Sequence, residues 1–348
     1  MTLQVAIHDS PLGFHPRWAV YCAERGIRVK RVDCTAHDAV ERLTDCDAVM
    51  WHHTQVGDRD VVMARQLLAS LEHAGTVVFP DGPTGWHFDD KVAQAYLFDA
   101  LGFAVPDTRV FTDREAALEW LATAPFPQVF KLRGGAGSAN VTLVRGRAQA
   151  ERLVRAMFGR GIPSFDPWWV LWDRWRQYRA GLTSSVELLR GVARLLVVPG
   201  YAKTRGRERG YALFQSYVPG NDHDLRIIVI GDRAFGVKRF VRDGDFRASG
   251  SGHLSYARTD LPEDVVQLAF AYARRLRAQC VAFDFVRAPQ GTPLLLEVSY
   301  AFTVTAYDAC PGYWTSDLTW HEGSFRPQDW MVDAVLAEVH RRRVEGTP

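Results

Sequence analysis

The chain has 348 residues, 47% hydrophobic and 24% charged, enough for two or three packed lobes and too many for one simple core. A net charge of +2 gives no global attraction for nucleic acid, and no continuous apolar stretch approaches the length of a membrane helix. Five scattered cysteines without a C-x-x-C pair argue against zinc, and a start that reads as a strand rather than a leader makes the cytoplasm the expected location.

From Thr2 to Pro80 the pattern alternates. Leu3 to His8, Ile27 to Val32, Ala48 to Trp51 and Thr76 to Pro80 are short apolar runs, separated by helical stretches near Arg17 to Glu24 and over Asp58 to His73. This predicts an open βαβ lobe over residues 1–88. His52 and His53 follow a strand end, where ligands and catalytic groups gather, although a surface pair is the plainer reading.

Asp89 to Leu101, Arg114 to Ala122 and Ala148 to Met157 read as helices of a small lobe, 89–158. Between the second and third lies a strand carrying Lys131, a loop with Gly134, Gly135, Gly137 and Ser138, and a second strand. Glycines let backbone N–H groups approach an anion, Ser138 adds a hydroxyl and Lys131 a point charge. The loop fits neither G-x-x-x-x-G-K-[ST] nor G-x-G-x-x-G, and a tight hairpin turn is the competing reading.

Residues 159–210 form an aromatic and basic insertion or lid. Trp168, Trp169, Trp172 and Trp175 alternate with Arg174, Arg176 and Arg179, ahead of an apolar run from Val186 to Val198. Helical spacing sets Trp168, Trp172 and Trp175 on one stripe. Either the stripe packs on the apolar run, or residues 165–180 dock a lipid-linked or polymeric substrate by peripheral contact.

The last region, 211–348, opens with strand, turn, strand, turn, strand over Ala212 to Phe240. Alternation places Asp224 and Arg226 on one face of the middle strand, and the next strand brings Lys238 and Arg239, with Arg247 following. Asp284 and Glu297 then stand on two apolar runs joined by Pro-Gln-Gly-Thr-Pro, so a hairpin sets the two acids across from each other, able to share a hard cation. Tyr300 to Arg326 reads as a long aromatic loop walling a pocket, and Gln328 to Arg343 as a final helix.

The order of these parts, roughly Asp90 to Val298, resembles the ATP-grasp superfamily, closest to its ribosomal-protein glutamate ligase and glutathione-synthetase-like branch. The resemblance implies an α/β (α+β) ATP-grasp fold: the N-terminal open βαβ lobe plus two α+β subdomains clamping ATP. It implies Lys91, Lys131 and Lys238 on the phosphates and the backbone of Gln215, Ser216, Tyr217 and Val218 around adenine. The ribose would fall to Asp224, or failing that to Asp222. Magnesium, with manganese as a substitute, would be held by Asp284, Glu297 and Ser299, where the family usually has asparagine at the third position and serine is a poorer ligand. Arg226, Arg239 and Arg247 would meet the substrate carboxylate and the developing anions.

The implied reaction is ATP-dependent ligation of a carboxylate to an amine through an acyl phosphate, releasing ADP and phosphate. The substrates would be small molecules, or acids and amines carried on peptides or glycans. The alternatives are a kinase on the same fold, or a nucleotide-binding protein without turnover.

Overall fold

The computed structural model describes residues 3–135, 140–179, 184–193, 195, 197, 199–241, 246–247 and 252–345. Four short parallel strands begin the N-terminal lobe: β1 (Gln4–His8), β2 (Arg28–Val32), β3 (Ala48–Met50) and β4 (Val77–Phe79), ordered β2-β1-β3-β4. The crossovers contain α1 (His15–Glu24), α2 (Ala39–Leu43) and α3 (Asp60–His73), and α4 (Gly82–Gly85) follows β4. β3 and β4 are buried throughout, as expected of parallel strands covered on both faces.

The second lobe starts with α5 (Lys91–Ala100), capped by Asp90, whose carboxylate accepts the Ala93 N–H at 2.9 Å. There follow β5 (Thr108–Phe111), α6 (Arg114–Leu121), β6 (Gln128–Lys131), β7 (Val141–Val144) and α7 (Arg147–Met157). The inserted segment carries β8 (Ile162–Pro163), α8 (Pro167–Arg179), α9 (Ser185–Ala193), α10 (Gly200–Arg205) and β9 (Arg207–Glu208), and leads into β10 (Ala212–Ser216). β10 runs antiparallel between β5 and β6, giving the order β5-β10-β6-β7. A lobe boundary at 211 therefore falls one strand early, because β10 completes the second sheet before the chain crosses to the third.

Of the two readings of the tryptophan stripe, packing on the apolar run is not what the structure shows. Trp168, Trp172 and Trp175 are 70%, 45% and 44% exposed. α8 turns Arg174 toward α9 instead, where Nη1 donates to the Glu187 carbonyl at 2.6 Å and its carboxylate at 2.7 Å. Arg176 and Arg179 lie over the Trp172 and Trp175 rings.

The third lobe is a seven-stranded sheet. β11 (His223–Ile230), β12 (Arg233–Phe240), β13 (Leu254–Ser255), β14 (Cys280–Arg287) and β15 (Pro293–Ser299) are joined by β16 (Gly312–Thr315) and β17 (Trp320–Glu322) in the order β15-β14-β11-β12-β16-β17, with β13 beside β12. The aromatic loop after β15 is thus not structureless: a turn in which Asp317 accepts the Thr319 N–H folds it into a hairpin on the sheet edge. α11 (Glu263–Leu276) covers one face through Val265, Val266 and Phe270. α12 (Pro327–Glu345) fills the other, where Met331 and Val335 share a core with Ile7, Trp18 and Phe79 of the N-terminal lobe and with Ile228 and Phe235. That shared core holds the first lobe against the third.

Candidate active site

A cavity of about 700 Å³ opens where the three lobes meet. β6 contributes Lys131, α5 contributes Lys91, and the strands of the third sheet contribute Asp224, Arg226, Arg239, Asp284 and Glu297. His52 and Thr54 reach it from the end of β3 in the N-terminal lobe.

The third sheet builds one half of the site by strand register. Arg226 stands opposite Asp284 across β11 and β14, and Asp224 opposite Arg239 across β11 and β12. Each pair closes into a two-pronged ion pair: Arg226 on Asp284 at 2.6 and 2.7 Å, Arg239 on Asp224 at 2.6 and 2.7 Å. Arg239 also reaches Asp284 at 2.8 Å. Burial works against ionisation of Asp284, yet the two guanidiniums outweigh it and hold the carboxyl well below the usual range. For Asp224 burial wins and pushes its carboxyl up. Two arginines and two aspartates sum to no net charge. Arg226 and Arg239 are consequently not spare cations, while Asp224 lines the cavity with each oxygen bonded by Arg239. Asp222, the fallback, does not line the cavity; its carboxylate bonds His223 at 2.5 Å and stands 80% exposed.

The other half is not balanced. Glu297 faces Asp284 across β14 and β15, beside a β-bulge between Asp284 and Phe285. The Lys91 ammonium lies 3.3 Å from Glu297 and donates to the Gly135 carbonyl at 2.7 Å. Lys131 is buried beside both. Burial lowers its pKa to about 8, with the Glu297 charge opposing and the Lys91 charge reinforcing the shift. Lys91 is also buried, but Glu297 and Asp89 overcome that penalty and raise it. Asp89 is paired with Arg205, so two lysines against one glutamate leave an uncompensated positive charge in the cavity, which suits an anion.

Gly134 and Gly135 open the loop after β6, while Gly137 and Ser138 lie outside the described residues. Gly135 lines the cavity with φ +127°, a conformation that favours glycine. The opening N–H groups, however, are directed to carboxylates of the chain rather than into the cavity: Arg133 and Gly134 donate to Glu208, and Gly135 donates to Asp89.

Gln215, Ser216, Tyr217 and Val218, where the chain passes from the second sheet to the third, line the cavity together with Phe246 and Arg247. The buried Gln215 amide donates to Thr108 at 3.0 Å, and the backbone of Gln215 and Ser216 is paired with β5 and β6, so the segment leaves the second sheet only at Tyr217. Lys238 does not join them. It sits on the opposite face of β12 from Arg239, 3.7 Å from Asp260, as the period of two along a strand requires. Ser299 lines the cavity, but its hydroxyl donates to the Ala301 carbonyl at 2.8 Å and accepts the Ala301 N–H, so it closes a turn instead of pointing to a metal.

Among the described residues no group of three His, Cys, Asp or Glu side chains is placed to hold a metal ion. What fits magnesium is a site completed by its ligand: Glu297 offers a carboxylate in the cavity, and nucleotide phosphates supply further oxygens. Asp284 also lines the cavity, its carboxylate taking three arginine contacts.

His52 carries more than its sequence position revealed. It is buried, not on the surface, and its Nδ1 accepts the Phe14 N–H at 3.0 Å. Burial keeps the ring neutral, so the hydrogen resides on Nε2, which has no partner among the described residues. The acceptor, Nδ1, is defined by a residue 38 positions away, beyond any local pattern. Tyr307 is likewise a buried lining residue, beside Arg226.

Residues 206–309 match the RimK-like ATP-grasp domain. In structure the chain is similar to the D-cycloserine synthetase DcsG, 18% identical with a TM-score of 0.57 over 97% of this chain and 99% of that one. It is similar to the ATP-grasp ligase PsnB complexed with a minimal precursor, 14% identical with a TM-score of 0.54 over 97% and 100%. It is also similar to D-alanine–D-alanine ligase from Bacillus anthracis complexed with ATP, 13% identical with a TM-score of 0.53 over 99% of each chain. These likenesses are of fold. No curated protein matches the sequence, and no described helix is long and apolar enough to cross a membrane.

Proposed function

We propose, from the premise that the chain is an ATP-grasp protein, that it joins a carboxylate to an amine at the expense of ATP. The observation that carries this reading is the excess positive charge of Lys91 and Lys131 over Glu297 in a cavity flanked by the Gln215 to Val218 backbone. The lysines receive the phosphates, and the segment where β10 leaves the second sheet, at Tyr217 and Val218, receives adenine. Magnesium arriving with ATP would be held by Glu297 and by the remaining acceptor capacity of Asp284, and would neutralise phosphate charge.

A carboxylate oxygen of the acid displaces ADP from the γ-phosphorus, giving an acyl phosphate. The amine then attacks the acyl carbon, phosphate departs with the C–O bond electrons, and the amine loses a proton. The Arg226 and Arg239 guanidiniums, fixed by their aspartates, stabilise the charge developing nearby through orientation rather than through free charge. Arg247, on the cavity wall, would meet the substrate carboxylate. The acid and the amine are small molecules or groups borne by peptides or glycans, the classes a cavity of about 700 Å³ with an open side accommodates.

An ADP-release screen of acid and amine pairs, repeated with hydroxylamine as the amine, tests the reading. A hydroxamate with ADP and phosphate is the expected product. A stable phosphorylated acceptor without hydroxamate would assign a phosphotransferase, and AMP with pyrophosphate would overturn the chemistry.

A further inference from the structure

The end of the inserted segment grips the start of the glycine-rich loop. The Glu208 carboxylate takes the Arg133 N–H at 2.8 Å and the Gly134 N–H at 3.2 Å, one on each oxygen, and is bonded in turn by the Tyr211 hydroxyl. Asp89 takes the Gly135 N–H at 2.8 Å and is held by Arg205. A Cβ on Gly134 would lie 1.9 Å from Arg205 Nη1, so glycine is what admits the guanidinium here. Asn140 closes the other side, its amide donating to the Gly134 and Ser164 carbonyls at 3.0 Å each.

Three consecutive N–H groups on two carboxylates have the form of an anion site already filled by the chain's own anions. Neither Glu208 nor Gly134 lines the cavity, whereas Gly135, the next residue, does. The Gly135 carbonyl also receives the Lys91 ammonium. Moving the base of the loop would therefore displace both a cavity-lining backbone and one of the two lysines.

We propose that Glu208 and Arg205, the latter acting through Asp89, are positioning residues for the nucleotide's outer phosphates. This rests on the ATP reading above. They immobilise the base of the loop before ATP arrives, so ordering it costs no binding energy, and they tie the phosphate site to the insertion. Glu208 does not line the cavity, and the Asp89 carboxylate, which does, is held by Arg205.

The test is isothermal titration of ATP, ADP and AMP, with magnesium, on the full chain and on Glu208→Ala, Glu208→Gln, Arg205→Met and Arg205→Lys, each with its melting temperature. Glu208→Ala and Arg205→Met should weaken ATP and ADP by about tenfold or more, the scale of a small misplacement of a binding group, with AMP affected less than about twofold. Arg205→Lys should recover part of the loss. Should the alanine variant unfold, Glu208→Gln, which keeps the shape and one acceptor oxygen, reads the same pattern. Equal losses for all three nucleotides, or no loss, would overturn the positioning role. Wild-type chain that binds no ATP would fail the nucleotide reading itself, a separate result.

Discussion

Two charged clusters share the cavity and behave oppositely. Arg226, Arg239, Asp224 and Asp284 neutralise one another through strand register, with contacts of 2.6 to 2.8 Å. Lys91, Lys131 and Glu297 do not balance, and their closest contact is 3.3 Å. A buried, closed ion network holds a shape; an open one with surplus charge awaits a ligand. The sequence shows charged residues in both places, and only geometry tells the scaffold from the binding site.

The contrast is broken most severely at Asp284. Asp284→Asn leaves two buried guanidiniums short of a partner and should cost about 3–5 kcal/mol of stability, read as a fall in denaturation midpoint, in addition to any loss of turnover. A variant as stable as wild type would show that the ladder is not structural. Glu297→Gln should do the reverse. Its side chain is 32% exposed, so the fold should survive, while turnover falls by about a hundredfold or more because a preorganised charge has left the reacting centre. Equal melting temperatures with unchanged rates would remove Glu297 from the site.

A smaller effect concerns pH. Lys131 has a folded pKa of about 8, below its ordinary 10.5, so the folded state bears a cost below pH 8 that is relieved as pH rises toward 10.5. Phosphate favours the charged ammonium. ATP affinity should therefore decline as pH climbs through 8, with proton uptake on binding, measurable by titration in buffers of different ionisation enthalpy. Lys131→Arg, charged throughout, should flatten the profile. A wild-type profile already flat from pH 7 to 9.5 would contradict the placement of Lys131.

Much of this site was legible in the chain. The Pro-Gln-Gly-Thr-Pro turn and its apolar flanks set Asp284 against Glu297, and alternation set Asp224 beside Arg226. The same alternation removes Lys238 from the face that carries Arg239, an implication that adjacency in sequence obscured. Partner choice was not legible: Arg226 finds Asp284 from 58 residues away, and the register of β11 on β14 decides it. The same is true of Glu208, a short-strand residue 74 positions from the Gly134 N–H that it holds. Local pattern located the strands; pairing between distant strands assigned the charges their roles.

The central claim is that phosphate passes through the acid's own carboxylate. With an acid identified by ADP release and labelled with ¹⁸O in both carboxylate oxygens, turnover with the amine should place one ¹⁸O in the released inorganic phosphate for each amide formed, alongside ADP. Unlabelled phosphate, or label appearing in AMP, would contradict the acyl-phosphate account.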